Sequence, residues 1–165
     1  MTALRTARLT LTPIGLDDAA FLLGLLNDPG WIANIGDRGV RDLEGARAYI
    51  TDRLAGGTWF VARTSDEADG DAAVGVAGIV PTREGMDCPD LGYAILEAHA
   101  GKGYATEAAA AVLAYARSDM GLPRIAAITD PNNRASRHVL EKIGLSFEKL
   151  IDLPSYPDEP SAYYA

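Results

Sequence analysis

The chain has 165 residues, enough for one domain with a sizeable core, and is 48% hydrophobic and 23% charged, the profile of a globular protein. Its 23 acidic against 15 basic side chains give a net charge of -8, which argues against a general binder of nucleic acid or other polyanions. The single cysteine, Cys88, excludes an intrachain disulfide and fits a reducing compartment; no apolar run approaches the ~20 residues that span a membrane, and Met1 to Arg5 lack a signal peptide's apolar core, so a cytoplasmic protein is expected.

Arg8-Leu9-Thr10-Leu11-Thr12-Pro13 alternates polar and apolar, a half-buried strand stopped by Pro13. Asp17 and Asp18 open a helix, where carboxylates complement the positive end, and Phe21, Leu22, Leu25 and Leu26 give it an apolar stripe. Gly24 costs that helix about 1 kcal/mol relative to alanine, so it depends on packing. Asn27-Asp28-Pro29-Gly30 reads as its end, and residues 31–40 read as irregular. A second helix starts near Asp42, with Leu43, Ala46, Ile50 and Leu54 on one apolar face, and stops at Gly56-Gly57. Residues 58–62 form a strand, residues 65–71 an acidic surface loop, and residues 73–80 a further strand whose glycines mark a bulge or a close backbone approach. After a turn at 83–87, residues 88–96 form a strand, and an Ala-rich helix then reaches Met120, ended by Gly121 and Pro123. Residues 124–129 read as a strand, and Asn133 caps a helix over 134–143 that Gly144 stops. Residues 145–150 read as a strand, and Ala162-Tyr163-Tyr164 as a short last one after three prolines. No repeat, linker or second domain interrupts the chain.

Between the strand at 88–96 and the Ala-rich helix stands His99-Ala100-Gly101-Lys102-Gly103-Tyr104-Ala105-Thr106-Glu107-Ala108. Glycines at a strand-to-helix turn let the backbone bend and let a ligand come close. The first helical amides point outward, and the helix dipole favours an anion there. The stretch therefore reads as a pyrophosphate cradle. A P-loop needs a Gly-Lys-Ser/Thr triplet, but Lys102 precedes the second glycine. A dinucleotide fingerprint needs a third glycine, where Thr106 stands, early in its βαβ unit. A loop for the pyrophosphate of coenzyme A remains.

The run from Ile95 to Ala108 resembles the acyl-CoA loop of the GNAT N-acetyltransferases, and more closely the RimJ/RimL type that acetylates ribosomal-protein N-termini. Asp130-Pro131-Asn132-Asn133-Arg134-Ala135-Ser136, followed by Leu140-Glu141-Lys142-Ile143-Gly144, resembles that branch's Asn-x-x-Ser and Glu-Lys-x-Gly-Phe signature. The opening Arg8-Leu9-Thr10-Leu11, with Asp17-Asp18 and Asn27-Asp28-Pro29, adds a third match. The resemblance implies one GNAT domain over the whole chain. Its α/β fold would hold a mixed, strongly twisted sheet of about seven strands flanked by four helices, with the fourth and fifth strands, here 88–96 and 124–129, splayed. The pantetheine arm of acetyl-CoA would enter between them, bonded by the backbones of Ile95 and Glu97. Gly101, Lys102, Gly103, Tyr104, Ala105 and Thr106 would hold the pyrophosphate, with Asn133 beside them.

The implied reaction is direct attack of a primary amine, on a small molecule or a peptide N-terminus, on the acetyl-CoA thioester, with no metal. Ser136 would hydrogen-bond or protonate the leaving thiolate, unless it bonds the backbone one turn back. Of the candidate bases Asp90, Glu97 and Glu84, Asp90 leads because it opens the strand beside the cleft; its bland alternative is a strand-end carboxylate facing water. His99 reads as an exposed loop residue, Cys88 as inert, Glu107 as a dipole-compensating residue, and Tyr93, Trp31 and Trp59 as core or cleft wall. Two departures stand out: Ala100 occupies a position that often carries Arg or Gln, and Leu140 one where many GNATs have a tyrosine acid. They leave a non-catalytic acyl-CoA-binding domain as the alternative. A monomer or homodimer is expected, without nucleic-acid or membrane partners.

Overall fold

In the computed structural model of the chain, residues 3–65 and 72–165 are described; most of the acidic loop read from the sequence lies outside them. A short β1 (Leu4–Arg5) precedes β2 (Leu9–Pro13), in which Leu9 and Leu11 are fully buried on one face, as alternation requires. The helix α1 (Ala19–Leu26) buries Ala19, Leu22, Leu25 and Leu26. Asn27 ends it by donating its side-chain amide to the Leu23 and Val40 carbonyls, each at 2.8 Å.

Residues 31–40 are not wholly irregular: α2 (Pro29–Asn34) starts at the proline read as a stop. Asp28 caps it by accepting from Gly30 N–H at 3.2 Å, and Pro29, which needs no N–H partner, takes the first helical position. Asp-Pro thus closes one helix and opens the next. In α3 (Leu43–Tyr49), continued by a π-turn at Ile50–Leu54, Ala46, Ile50 and Leu54 are buried. Leu43, expected on that face, is 43% exposed because it directly follows the Asp42 cap.

The remaining elements are β3 (Trp59–Thr64), β4 (Ala73–Val80), β5 (Asp90–Ile95), α4 (Tyr104–Ser118), β6 (Ala127–Thr129), α5 (Arg134–Lys142), β7 (Phe147–Leu153) and β8 (Tyr156–Tyr164). The α/β architecture is the expected one; among the described residues its strands fall into two antiparallel sheets, of five strands (β1-β2-β3-β4-β5) and three (β6-β8-β7), rather than one mixed sheet of about seven, with the five α-helices named above rather than four. The strand β8 exceeds the expected short one. Its Pro157 and Pro160, which lack an N–H, precede Ala162–Tyr164, where β6 pairs, so they break no β6 ladder. Along β3, Phe60 and Ala62 pack with α4, and Val61 packs with α1 and α3 on the opposite face.

Among the described residues the two sheets are hydrogen-bonded to each other at one parallel bridge, between Asp90 and Ala126. There Leu91 N–H donates to Ala126 O at 2.8 Å, and Ala126 N–H donates to Pro89 O at 3.0 Å. Beyond the bridge β5 and β6 diverge, which gives the expected splay.

The glycines of β4 are close-approach residues. A Cβ on Gly75 would lie 2.2 Å from Ala94 O, and one on Gly78 would lie 2.4 Å from Trp59 Cδ2. Gly92 in β5 faces the same indole, with Trp59 Cη2 at 2.9 Å. A side chain at Gly78 or Gly92 would push Trp59 off the sheet.

Candidate active site

A cleft of about 1070 Å³ runs along the splay. The pairing register decides which backbone groups face it. Leu96 N–H bonds Val74 O at 2.8 Å, so Asp90, Gly92 and Ala94 bond across to β4, while Leu91, Tyr93 and Ile95 turn their backbone groups toward β6. Ala126 takes the Leu91 N–H; among the described residues no strand pairs with Tyr93 or Ile95 on that side. Two successive sets of strand amides and carbonyls therefore open into the cleft. Glu97, expected to bond a ligand through its backbone, has other partners here. Its N–H donates to Asp28 Oδ2 at 3.1 Å, and its carbonyl accepts from Ala100 N–H at 3.1 Å.

The cradle follows β5. Gly101 (φ 77°) and Gly103 (φ 84°) lie in the left-handed region that favours glycine. Gly103 is the N-cap of α4, and no side chain caps this helix. The first helical bond runs from Glu107 N–H to Gly103 O at 3.1 Å, so the amides of Ala105 and Thr106 have no acceptor within the helix. Gly101, Gly103, Tyr104, Ala105 and Thr106 all line the cleft, and Lys102, between the two glycines, is not part of that lining.

A clasp holds this loop. Glu107 Oε1 accepts from Thr6 Oγ1 at 2.5 Å and from Arg8 N–H at 2.7 Å, and Oε2 accepts from Arg8 Nε at 2.8 Å. Arg8 then donates to Lys102 O at 2.8 Å and lies over the Tyr104 ring at 4.7 Å. Burial works to raise the Glu107 carboxyl, but the bonds from Thr6 and Arg8 outweigh it and hold the pKa below the ordinary value. Glu107 thus does more than compensate the helix dipole.

Across the splay, Asn133 caps α5 by accepting from Ser136 N–H at 3.1 Å, and its amide reaches Asn34 of α2 at 3.5 Å. Ser136 Oγ sits 2.8 Å from the Tyr93 hydroxyl, and the Ser136 carbonyl lies 3.3 Å from the same hydroxyl. Burial, opposed by the Ser136 bond and reinforced by Tyr164, pushes the Tyr93 phenol up to about 12. Leu140 is buried in the core and does not line the cleft.

Asp90 is 1% exposed, so it does not face water. Arg83 grips it at both oxygens, Nη2 to Oδ2 at 2.5 Å and Nε to Oδ1 at 3.2 Å. Burial raises its pKa against the opposing hydrogen bond and charge of Arg83. Both residues line the cleft. Glu84 is exposed and off the cleft. His99 is half-buried rather than exposed, and its Nδ1 is buried without a partner among the described residues. Cys88 is buried, with its sulfur 3.5 Å from the Tyr163 hydroxyl.

Sequence reasoning missed Asp28, Asn34, Arg8, Arg83 and the hydroxyl of Tyr93 as parts of this site. The Asp-Pro cap signal was available for Asp28. Arg8, Asn34 and Tyr93 are joined to the site by contacts about 40 to 100 residues apart in sequence, which no local pattern reports, and Arg83 reaches Asp90 across the turn at 83–87 without a periodicity that marks the pair.

The model of the acetyltransferase (GNAT) domain family matches residues 8–146. YkkB of Bacillus subtilis (strain 168) is 34% identical over 157 residues, covering 91% of this chain and 88% of that protein. Among solved structures, RimL, a ribosomal L7/L12 α-N-protein acetyltransferase in complex with coenzyme A, superposes with a TM-score of 0.81 at 15% identity, over 99% of this chain and 96% of that one. The aminoglycoside acetyltransferase AAC(6')-Ib, also with coenzyme A, gives 0.73 at 17% identity, over 94% and 92%. At these identities the two structures speak for the fold. The splayed strands, the glycine cradle and the family match lead to one conclusion: the chain is a member of the GNAT acetyltransferase family.

Proposed function

We propose that the chain transfers the acetyl group of acetyl-CoA to a primary amine, of a small molecule or of a peptide N-terminus, by direct attack. The observation that carries this reading is the continuity of the site. Unpaired strand groups of Tyr93 and Ile95 lead into a helix start whose cap is a glycine with no capping side chain. An amide-bearing arm satisfies the former, and a pyrophosphate suits the latter. Ile95 bonds the pantetheine through its backbone. Gly101 to Thr106 surround the pyrophosphate, with Lys102 adding positive charge and Arg8 fixing the loop. Asn133 holds α5 at the edge of the gap.

In the transfer, the amine nitrogen must carry a free lone pair. Asp90, buried and with a raised pKa, takes the ammonium proton directly or through one water. The nitrogen then attacks the thioester carbon, and a β5 backbone N–H steadies the oxyanion. The C–S bond breaks, the sulfur leaves as a thiolate hydrogen-bonded by Ser136 Oγ–H, and the second proton of the nitrogen passes to that thiolate or to solvent. The RimJ/RimL-type branch is supported by the Asn133–Ser136 motif.

Calorimetry with acetyl-CoA, followed by thiol release against amines and peptides, tests the proposal. Micromolar binding with release that depends on an amine supports it. Failure to bind overturns it.

A further inference from the structure

Ser136 has a hydroxyl whose direction decides its use. A helical serine commonly returns its O–H to the carbonyl four residues back. Here Oγ instead lies 2.8 Å from the Tyr93 hydroxyl, while the Tyr93 O–H also reaches the Ser136 carbonyl at 3.3 Å. The phenol has one proton and can donate to only one of these oxygens at a time. If it donates to the carbonyl, the serine O–H points at Tyr93 and away from the cleft. If it donates to Oγ, the serine O–H is released to the cleft. The 2.8 Å contact serves either arrangement, and a thiolate forming in the cleft accepts the serine O–H in a charge-assisted bond and so selects the second.

We propose that Tyr93 is the positioning residue of the transfer step: it donates its O–H to Ser136 Oγ and so aims the serine hydroxyl at the leaving sulfur. This inference rests on the acyl transfer proposed above. Both residues line the cleft, from strands and helices on opposite sides of the splay, so the bond also fixes the gap's width at the reacting end. Burial keeps the phenol neutral, with a pKa of about 12, so Tyr93 stays a donor throughout the working pH range. A phenol so weakly acidic does not surrender its proton to a thiolate whose thiol has a pKa of about 8.5. Both the Tyr93 and the Ser136 protons therefore stay in place during the step. The electron pair of the C–S bond goes to sulfur, and the proton remaining on the attacking nitrogen passes to the departing thiolate or to solvent. With Leu140 in the core, no tyrosine acid approaches from the position where many relatives carry one.

The test uses Tyr93→Phe, which keeps the ring, with Ser136→Ala and the double variant. Wild type is first shown to bind acetyl-CoA and release thiol with an amine; failure at that stage falls on the proposed function and not on Tyr93. Loss of one donor predicts a kcat roughly five- to tenfold lower in Tyr93→Phe, with KM and Kd for acetyl-CoA unchanged. Ser136→Ala falls by a similar factor, and the double variant falls no further. Thioesters with more acidic thiols shrink the deficit, because a better leaving group needs less help. An unaltered kcat, additive losses, or a loss confined to KM overturns the proposal. Should Tyr93→Phe not fold, Ser136→Ala decides alone: full kcat in that variant overturns it.

Discussion

Gly103→Asp perturbs the cradle by geometry and by charge, and the two effects separate. Gly103 has φ 84°, and any L-residue there costs about 1–2 kcal/mol. A Cβ at this position comes 3.0 Å from Arg8 Nη2, the far end of a flexible side chain that gives way readily. Gly103→Ala therefore carries the backbone strain alone: acetyl-CoA affinity drops about tenfold, and Tm falls by a few degrees. Asp adds a carboxylate at the helix start proposed to hold the pyrophosphate, within about 4 Å of its charges. Each charge pair at that range costs about 1 kcal/mol in water and about 4 kcal/mol at the effective dielectric of a protein surface. Two phosphate charges bring the total to at least 2 kcal/mol beyond the strain. The new carboxylate also competes for the Ala105 and Thr106 amides. Gly103→Asp should thus bind acetyl-CoA at least a further thirtyfold more weakly than Gly103→Ala by calorimetry, at similar Tm. Equal affinities in the two variants would refute the electrostatic cradle.

Gly78→Ala places a Cβ 2.4 Å from Trp59 and 2.6 Å from Thr58 O, where backbone cannot yield. Overpacking of this kind costs about 1–3 kcal/mol, seen as a Tm several degrees lower by calorimetry, and an unchanged Tm contradicts the close-approach reading. Glu107 has a lowered pKa, so its contribution is complete above its ordinary value of 4.5 and fades as pH falls below it. Denaturant titrations should show wild type more stable than Glu107→Gln at neutral pH, with the gap closing under acid; a gap independent of pH contradicts the clasp. Arg83→Met leaves the Asp90 carboxyl buried without its cation. Its pKa should rise further, moving the acid limb of the pH–rate profile to higher pH, and stability at neutral pH should fall by about 2–4 kcal/mol. An unmoved acid limb removes Asp90 from the proton path.

Much of this arrangement is legible in the chain because it is local. The glycine cradle, the Asn133 cap and the alternation of β2 are short-range patterns, and each is found where the sequence places it. The splay was reached through resemblance, and its physical basis lies in the register. Leu91 alone is taken by Ala126, and the next two outward-facing residues of β5 have no strand opposite. Other features needed the third dimension. The environment of Asp90 is set by Arg83 on a neighbouring turn, so a residue read as facing water is nearly fully buried. Tyr93 reads as wall until α5 places Ser136 against its hydroxyl. The helix α2 escaped notice because Asp-Pro signals both a stop and a start, and only Asp28's bonds to Gly30 and Glu97 separate the two readings.

The central claim, that acetyl-CoA occupies the splay and its acetyl group moves to an amine nitrogen, meets its most direct test in mass spectrometry of a panel of amines and peptides incubated with acetyl-CoA and the protein. The account predicts acceptors gaining one acetyl group on nitrogen, in step with released thiol, and no product with Gly103→Asp at acetyl-CoA concentrations that saturate wild type. Tight binding of acetyl-CoA with no acetylated product across the panel would contradict it.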